Sequence, residues 1–433
     1  MQLQSKKKLA RYSAISASFV AIIFVLPSLL GTATFAAGPF STAINLSNDS
    51  NNAQYPMVAN SGQYVYVAWT EESHGIYLRA SSNGGVSFGP AIKLSQKGGT
   101  TSYPVITANG SNVYVAWSQT VSSIGQIFFA ASSNYGASFS TAVDVDTNAS
   151  QTAITPVLAA YGTDVSLAWS NNGPSYVISS TDGGATWGPA FNIGAFHEPQ
   201  LAAWGSNVYF VSDGHGGLSY GVSNDGGLTW TQSTFNVSGA EPWIAAAGSY
   251  VYIMWEQKHT NGTAPIYGLI SSDYGASFGA VTIFSGSVIN DWEPQISAAG
   301  NNVYLVFRSL SPNSAWATMS SNNGATWTTP TELSSKGQAA GWPLDVSISG
   351  SYAYTIWGAP ATGSTWNTYT SYTSNGGASW TPAGGIDISN NAAGTAAPAT
   401  DVASASIMAN GAHAYAAWQS TQTGNEQIWF AYS

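Results

Sequence analysis

The sequence predicts an all-β fold, a β-propeller of four-stranded blades, and three observations carry that prediction. An eight-residue box, Ser/Thr-x-Asp/Asn-x-Gly-x-Ser/Thr-Trp/Phe, occurs seven times, starting at Ser81, Ser132, Ser180, Ser223, Ser271, Ser320 and Thr373. Its fifth-position glycines, from Gly85 to Gly377, lie 43 to 53 residues apart, a period that denotes propeller blades or a comparable array when the filling is strand-like. A second repeat, glycine followed by a short β-rich run, comes eight times, after Gly62, Gly110, Gly162, Gly205, Gly248, Gly300, Gly350 and Gly411. The filling is strand-like: of 433 residues, 44% are hydrophobic, 13% aromatic and only 7% charged. Gly, Ser, Thr and Asn separate the apolar runs, which suits short strands and tight turns.

In chain order, the first element is a targeting segment. Lys6, Lys7, Lys8 and Arg11 precede an apolar run from Ala14 to Leu30, and the small residues Thr34, Ala36 and Ala37 follow. That order predicts a secretory signal peptide over residues 1–37, with an uncleaved membrane anchor as the rival; Pro27 and the small residues favour cleavage. No later apolar stretch is long enough to cross a bilayer.

Residues 38–433 read as one propeller domain. Blade one has four runs separated by turn signals: 55–60, 64–69, 76–80 and, after the box, 88–94, the content of one blade. The eighth unit ends at 428–433, where a box would begin. Residues 38–46 (Gly-Pro-Phe-Ser-Thr-Ala-Ile-Asn-Leu) match 89–94 (Gly-Pro-Ala-Ile-Lys-Leu). The N-terminal strand is therefore expected to complete the last blade and close the ring without an exposed edge. Eight blades result. A seven-bladed ring with a degenerate extra piece is the alternative, because residues 389–403 form an irregular Ala/Thr/Asn-rich insertion.

Charge narrows the partners. The formal balance is −10, and the leader holds four of the ten basic residues, so the exported chain keeps six against 20 acidic, about −14. Nucleic acid and anionic lipid are not expected partners for such a field, leaving membrane contact only to an uncleaved N-terminus. There is no cysteine, hence no disulfide and no thiolate metal site. Sequons at Asn45, Asn48, Asn109, Asn148, Asn236 and Asn261 fit an exported protein, though a chain this rich in Asn, Ser and Thr produces them by chance as well.

Within the boxes, Asn83, Asn134, Asp182, Asp225, Asp273, Asn322 and Asn375 hold the third position. There Asp or Asn can bond the N–H groups of the turn, while Gly at the fifth position permits positive φ. The terminal Trp or Phe can pack between neighbouring sheets. We read the boxes as structural staples, with a ligand-binding turn as the other reading.

These residues match the Asp-box, or bacterial neuraminidase repeat, and on them nearly all of 38–433 resembles the sialidase-like propeller superfamily. The resemblance implies fold more than activity, because such boxes occur in sialidases, other glycoside hydrolases, sorting receptors and non-enzymatic propellers. Family sialidases hold the substrate carboxylate with three arginines, one of them in a Phe/Tyr-Arg-Ile-Pro motif at an inner-strand start, using the guanidinium fork. After the leader this chain has only Arg79 and Arg308. Its strand starts read Gln54-Tyr55-Pro56, Ser102-Tyr103-Pro104, His197-Glu198-Pro199, Ala240-Glu241-Pro242 and Trp292-Glu293-Pro294. Without arginine there, sialidase activity is not expected.

Blade geometry then locates a site. First strands start, and second strands end, on the rim opposite the boxes. The residues before proline form one column: Tyr55, Tyr103, Thr155, Glu198, Glu241, Glu293 and Trp342. The residues eight past the repeat glycine form another: Thr70, Ser118, Ser170, Asp213, Glu256, Arg308, Gly358 and Gln419. Both turn charged in blades four to six. The catalytic candidates are Glu198, Glu241, Glu293 and Asp213. The ligand-binding candidates are Glu256, Asp291, Arg308, His197, Trp292, Trp342, Trp366, Tyr55 and Tyr103. Blade four departs from its neighbours, with Ser212-Asp213-Gly214-His215 where others carry Trp or Phe.

Three readings of this cluster stay open: carboxylates that bond backbone or pair with Arg308, a sugar-binding or hydrolytic cleft, and a bound cation such as Ca²⁺, which favours several oxygen ligands. No other cofactor is expected. Glycoside hydrolysis would need two carboxyls about 5 Å apart to retain configuration and about 6.5–9.5 Å apart to invert it. Glu241 would be the acid, raised by like charges or burial, with Glu293 or Asp213 as base or nucleophile. Ten tryptophans end boxes or second strands and read as blade core, whereas Trp292, Trp342 and Trp366, with Tyr55 and Tyr103, offer the faces a neutral sugar would use. His74, His259 and His413 are scattered and take no role. The expectation is a secreted or cell-envelope propeller, of the cysteine-free prokaryotic kind, binding a glycan or cell-surface ligand at its mouth. The alternatives are a glycoside hydrolase or lyase other than a sialidase, and a surface-layer scaffold.

Overall fold

The computed structural model describes residues 40–96, 99–146, 151–171, 173–214, 217–257, 264–286, 288, 291–310, 313–335, 341–360, 366–389, 405–421 and 423–433. The leader, Gly38 and Pro39 of the closing segment, the insertion beyond Ser389, His215, His259, Asn148 and Asn261 lie outside them. Among the described residues there is no helix, and the strands form eight four-stranded antiparallel sheets. The first strand of blade eight (Ala405–Asn410) lies against those of blade seven (Gly341–Ser349) and blade one (Ala53–Ser61), so the ring is closed.

The second strands explain the composition. A blade is covered on both faces by its neighbours, so its central strands read as continuous apolar runs instead of alternating ones. In blade one, Tyr66 and Ala68 pack toward blade two with Val113, Val115 and Trp117. Val65, Val67 and Trp69 pack toward blade eight with Tyr415 and Phe430. The second-strand tryptophans Trp69, Trp117, Trp169, Trp255, Trp357 and Trp418 are fully buried. Five of them lie nearly parallel to a third-strand ring, from Trp69 on Tyr77 to Trp357 on Tyr369, at 6.0–6.2 Å.

Ring closure is as the repeat predicts. Ile44 and Asn45 pair with Phe430 and Trp429, and the N–H groups of Ser41 and Leu46 each reach a carbonyl, of Tyr432 and Ile428, at 2.7 Å. Blade eight is thus three C-terminal strands plus one N-terminal strand, and the seven-bladed alternative is set aside. A serine just past the fourth strand recurs outside the box pattern. Ser47, Ser95, Ser285, Ser334 and Ser389 each accept a third-strand N–H through Oγ, at 3.0–3.3 Å.

The seven boxes share one set of hydrogen bonds, centred on a residue the sequence reading undervalued. The first-position hydroxyl donates to the third-position Oδ1 at 2.7–2.9 Å. It also accepts the N–H of the fifth-position glycine at 2.8–2.9 Å. The same Oδ1 accepts the seventh residue's N–H at 2.8–3.1 Å. Glycine is required at the fifth position by contact as well as by φ: at Gly184 (φ +86°) a Cβ would stand 2.2 Å from the Phe129 ring of the preceding blade. Five box aromatics dock edge-on against that preceding blade, as Trp187 does on Phe129 at 4.9 Å and Phe278 on Tyr220 at 5.0 Å, whereas Trp230 lies tilted on Phe191 and Phe210.

Two outcomes follow from the boxes. Ser132→Ala should cost about 2 kcal/mol in denaturant unfolding, because it strands the buried Gly136 N–H. Hydrogen bonds from Thr186 and Ser180 hold the Asp182 carboxyl down at about 2, and those from Ser277 and Ser271 do the same for Asp273. Such depressed carboxylates add stability that is complete above about pH 4 and is lost as pH falls toward 2. Asp182→Asn with Asp273→Asn, the residue used in four other boxes, should flatten that acid limb in melts between pH 2 and 5.

Candidate binding site at the first-strand rim

The site is built from a fault repeated in the first strands. In blade one, Gln54 pairs with Thr70 and Met57 with Ala68, leaving Tyr55 and Pro56 opposite a single residue. The same two-against-one bulge occurs at Tyr103-Pro104, Thr155-Pro156, Glu198-Pro199, Glu241-Pro242 and Glu293-Pro294. Proline suits a bulge because it has no N–H to leave unpaired. The residue before it takes a left-handed conformation, with φ of +49° to +58° in all six. Sequence rules point the other way: a residue before proline prefers extended backbone, and the left-handed region costs a bulky residue roughly 1–2 kcal/mol. Blade seven is irregular at Trp342-Pro343 too, between Gly341 and Leu344; the Trp342 side chain lies outside the described residues.

The second column clamps these bulges from the neighbouring blade. Gln419 Oε1 accepts the Tyr55 N–H at 3.4 Å, and Glu256 Oε2 accepts the Glu293 N–H at 3.1 Å. Ser118 Oγ donates to the Ala153 carbonyl at 3.2 Å. Register places the columns side by side, with His197 opposite Asp213, Ala240 opposite Glu256 and Trp292 opposite Arg308. Gln419, which stands in the second column but not among the candidates, belongs to this machinery; its place in the column was the signal.

Two groups of predicted residues meet. Tyr55 and Tyr103, from adjacent blades, have ring centroids 4.9 Å apart with planes tilted by 46°; burial, then Tyr55, pushes the Tyr103 hydroxyl up. In blade six, Arg308 Nη2 lies 3.2 Å from Glu293 Oε1, with both side chains about nine-tenths buried. Glu198, Glu241, Asp213, Trp292 and Trp366 are half-buried, and His197 is exposed. Ser212 donates to the His197 carbonyl at 2.5 Å.

Asp291 departs from expectation. It starts the first strand of blade six and is fully buried, so its carboxyl is not presented to a ligand at the mouth. Burial pushes it up to about 7, and the Ser285 hydroxyl offsets only part of that. A carboxyl with a raised pKa thus stands at Asp291, at the start of this strand. Among the described residues no group of three His, Cys, Asp or Glu side chains is arranged to hold a metal ion.

No protein-family model matches the chain, and no curated protein matches it. Among solved structures it is similar to a polysaccharide lyase, the PL25 ulvan lyase bound to a GlcA(1-4)Rha3S unit, at 9% identity over 74% of this chain and 93% of that one, with a TM-score of 0.49. It is also similar to the NanB sialidase of Streptococcus pneumoniae, at 13% identity over 74% of this chain and 67% of that one, with a TM-score of 0.41. A third is YCF48 bound to D1 peptide, at 13% identity over 74% and 93%, with a TM-score of 0.44. Carbohydrate-active propellers are thus among the neighbours, beside a peptide-bound protein, and likenesses this distant select no activity.

Asp291 sets a pH dependence of opposite sign to the boxes. Its folded pKa lies above the unfolded one, so its cost is absent below about pH 4, grows as pH rises toward 7 and is complete beyond. Asp291→Asn should remove that decline, raising the melting temperature at pH 8 more than at pH 4.

Proposed function

We propose that this chain is an exported, sialidase-like Asp-box propeller whose acidic and aromatic mouth binds a glycan or cell-surface ligand. One observation carries the reading: six left-handed residues are held in one register, so that Tyr55, Tyr103, Thr155, Glu198, Glu241 and Glu293 follow one another around the same rim. Backbone strain kept in six consecutive blades is the kind that accompanies binding sites. Aromatic faces beside hydrogen-bond acceptors suit a hydroxyl-rich, uncharged sugar, while the carboxylate sector disfavours polyanions. The basic, apolar, small-residue order of residues 1–37 supports export, and the common bonding of the seven boxes supports the Asp-box assignment.

Binding is preferred to hydrolysis because two of the carboxylates already have structural work. Glu256 holds a backbone N–H and Glu293 holds Arg308. A non-sialidase hydrolase would rely on Glu198 and Glu241, which share one backbone conformation in adjacent blades.

Purified protein incubated with neutral, uronate-bearing and sialylated oligosaccharides, with products followed by mass spectrometry, tests both readings. The expected result is retention of intact neutral glycan, weakened by Tyr55→Ala with Tyr103→Ala. Shortened products that vanish in a Glu198/Glu241/Glu293→Gln triple variant would establish the hydrolase or lyase instead. Released sialic acid would overturn the arginine reasoning, and no retention at all would favour a scaffold.

A further inference from the structure

We propose that the box rim, opposite the mouth, carries a second carbohydrate subsite: a shallow cleft between blades four and five that takes one hexopyranose ring on the face of Tyr274. The chain supplies its own comparison. The fourth box position is tyrosine twice, at Tyr135 in blade two and Tyr274 in blade five. Both are left-handed, with φ of +59° and +60°. Both N–H groups donate at 2.8 Å to a carbonyl of the adjoining turn, of Ser111 and Ser249. In blade two the ring lies stacked on Tyr64 of blade one, centroids 4.2 Å apart and planes 23° from parallel.

The residue of blade four that corresponds to Tyr64, two past the repeat glycine, is Asn207. A short amide cannot fill the place of a phenol ring. What remains there is a cleft of about 370 Å³ lined by Asn207, Val222, Asn224, Asp273, Tyr274 and Ala276. That volume falls within the roughly 300–1,000 Å³ of small-ligand sites, and Tyr274 is 48% exposed beside it. A position that elsewhere in the ring holds a stacked ring is thus left open, next to an aromatic platform.

The lining says which ring fits. Val222, Ala276 and the Tyr274 face accept an apolar C–H face. The Asn224 amide brings donors and an acceptor, and Asn207 adds its Oδ1 while its Nδ2 donates to the Trp204 carbonyl at 3.3 Å. Asp273, whose oxygens accept hydrogen bonds from Ser271 and Ser277, brings its remaining lone pairs on a carboxylate held down at about 2. An apolar face opposed by amides and a carboxylate matches a pyranose, which is apolar on one face and hydroxylated at its edge, better than a purely aromatic guest. The subsite is independent of the mouth, which lies at the other end of the strands.

Saturation-transfer NMR on the full chain carrying Tyr55→Ala and Tyr103→Ala, which removes the aromatic platform of the mouth, tests it, using methyl β-D-glucopyranoside, methyl β-D-galactopyranoside and methyl α-D-mannopyranoside as probes, with phenol as the aromatic control. At least one glycoside should saturate in the millimolar range. Its affinity should fall at least about fivefold in Tyr274→Ala, the loss expected of one aromatic contact. Asn207→Tyr, which fills the cleft as Tyr64 does in blade one, should abolish binding while keeping the melting temperature, separating a blocked site from a misfolded one. Tyr135→Ala should leave it unchanged. Overturning results are no saturable glycoside signal, phenol binding in place of the glycosides, or binding that survives Asn207→Tyr.

Discussion

A blade of this propeller has two apolar faces and covers neither by itself, so every sheet depends on a neighbour and the last must meet the first. Blade eight meets that demand with strands from both ends of the described chain, joined through Ile44, Asn45 and the flanking bonds of Ser41 and Leu46. Closure covers the apolar blade faces an open array would expose, and it makes the inter-blade contact the common unit of stability. The buried tryptophans, the edge-on box aromatics and the close approach at the box glycines are all versions of that contact. With no cysteine to help, packing and hydrogen bonds carry the whole of it.

The two rims divide the labour. On the box rim, one hydroxyl and one carboxylate or carboxamide repeat the same bonds seven times. Asp and Asn alternate freely there because Oδ1 is the atom that matters in either. Only the outward positions vary, and Tyr64, Asn207, Tyr135 and Tyr274 show that such variation opens or fills the space between blades.

On the opposite rim the strand starts are bulged and left-handed in six blades. A bulge re-aims a side chain and gives up regular pairing, and at Tyr55 and Glu293 the backbone N–H finds a partner in Gln419 and Glu256 of the preceding blade. In blades four to six this machinery is acidic. Part of its cost is contained, since Glu293 has Arg308 and Glu256 has a backbone N–H. Asp291, buried with partial help from Ser285, remains under electrostatic strain.

By itself the sequence determined the all-β class, the number of blades, the strand that closes the ring and the rim on which charged and aromatic residues gather. These follow from features a few residues long that recur: the box, the repeat glycine, the Trp-ended run and the residue before proline. Tertiary structure alone decided the left-handed backbone before those prolines, the burial of Asp291, the tie between Glu256 and Glu293, and the open place beside Tyr274. Each depends on a side chain that arrives from an adjacent blade tens of residues away, and local propensity carries no record of which one comes.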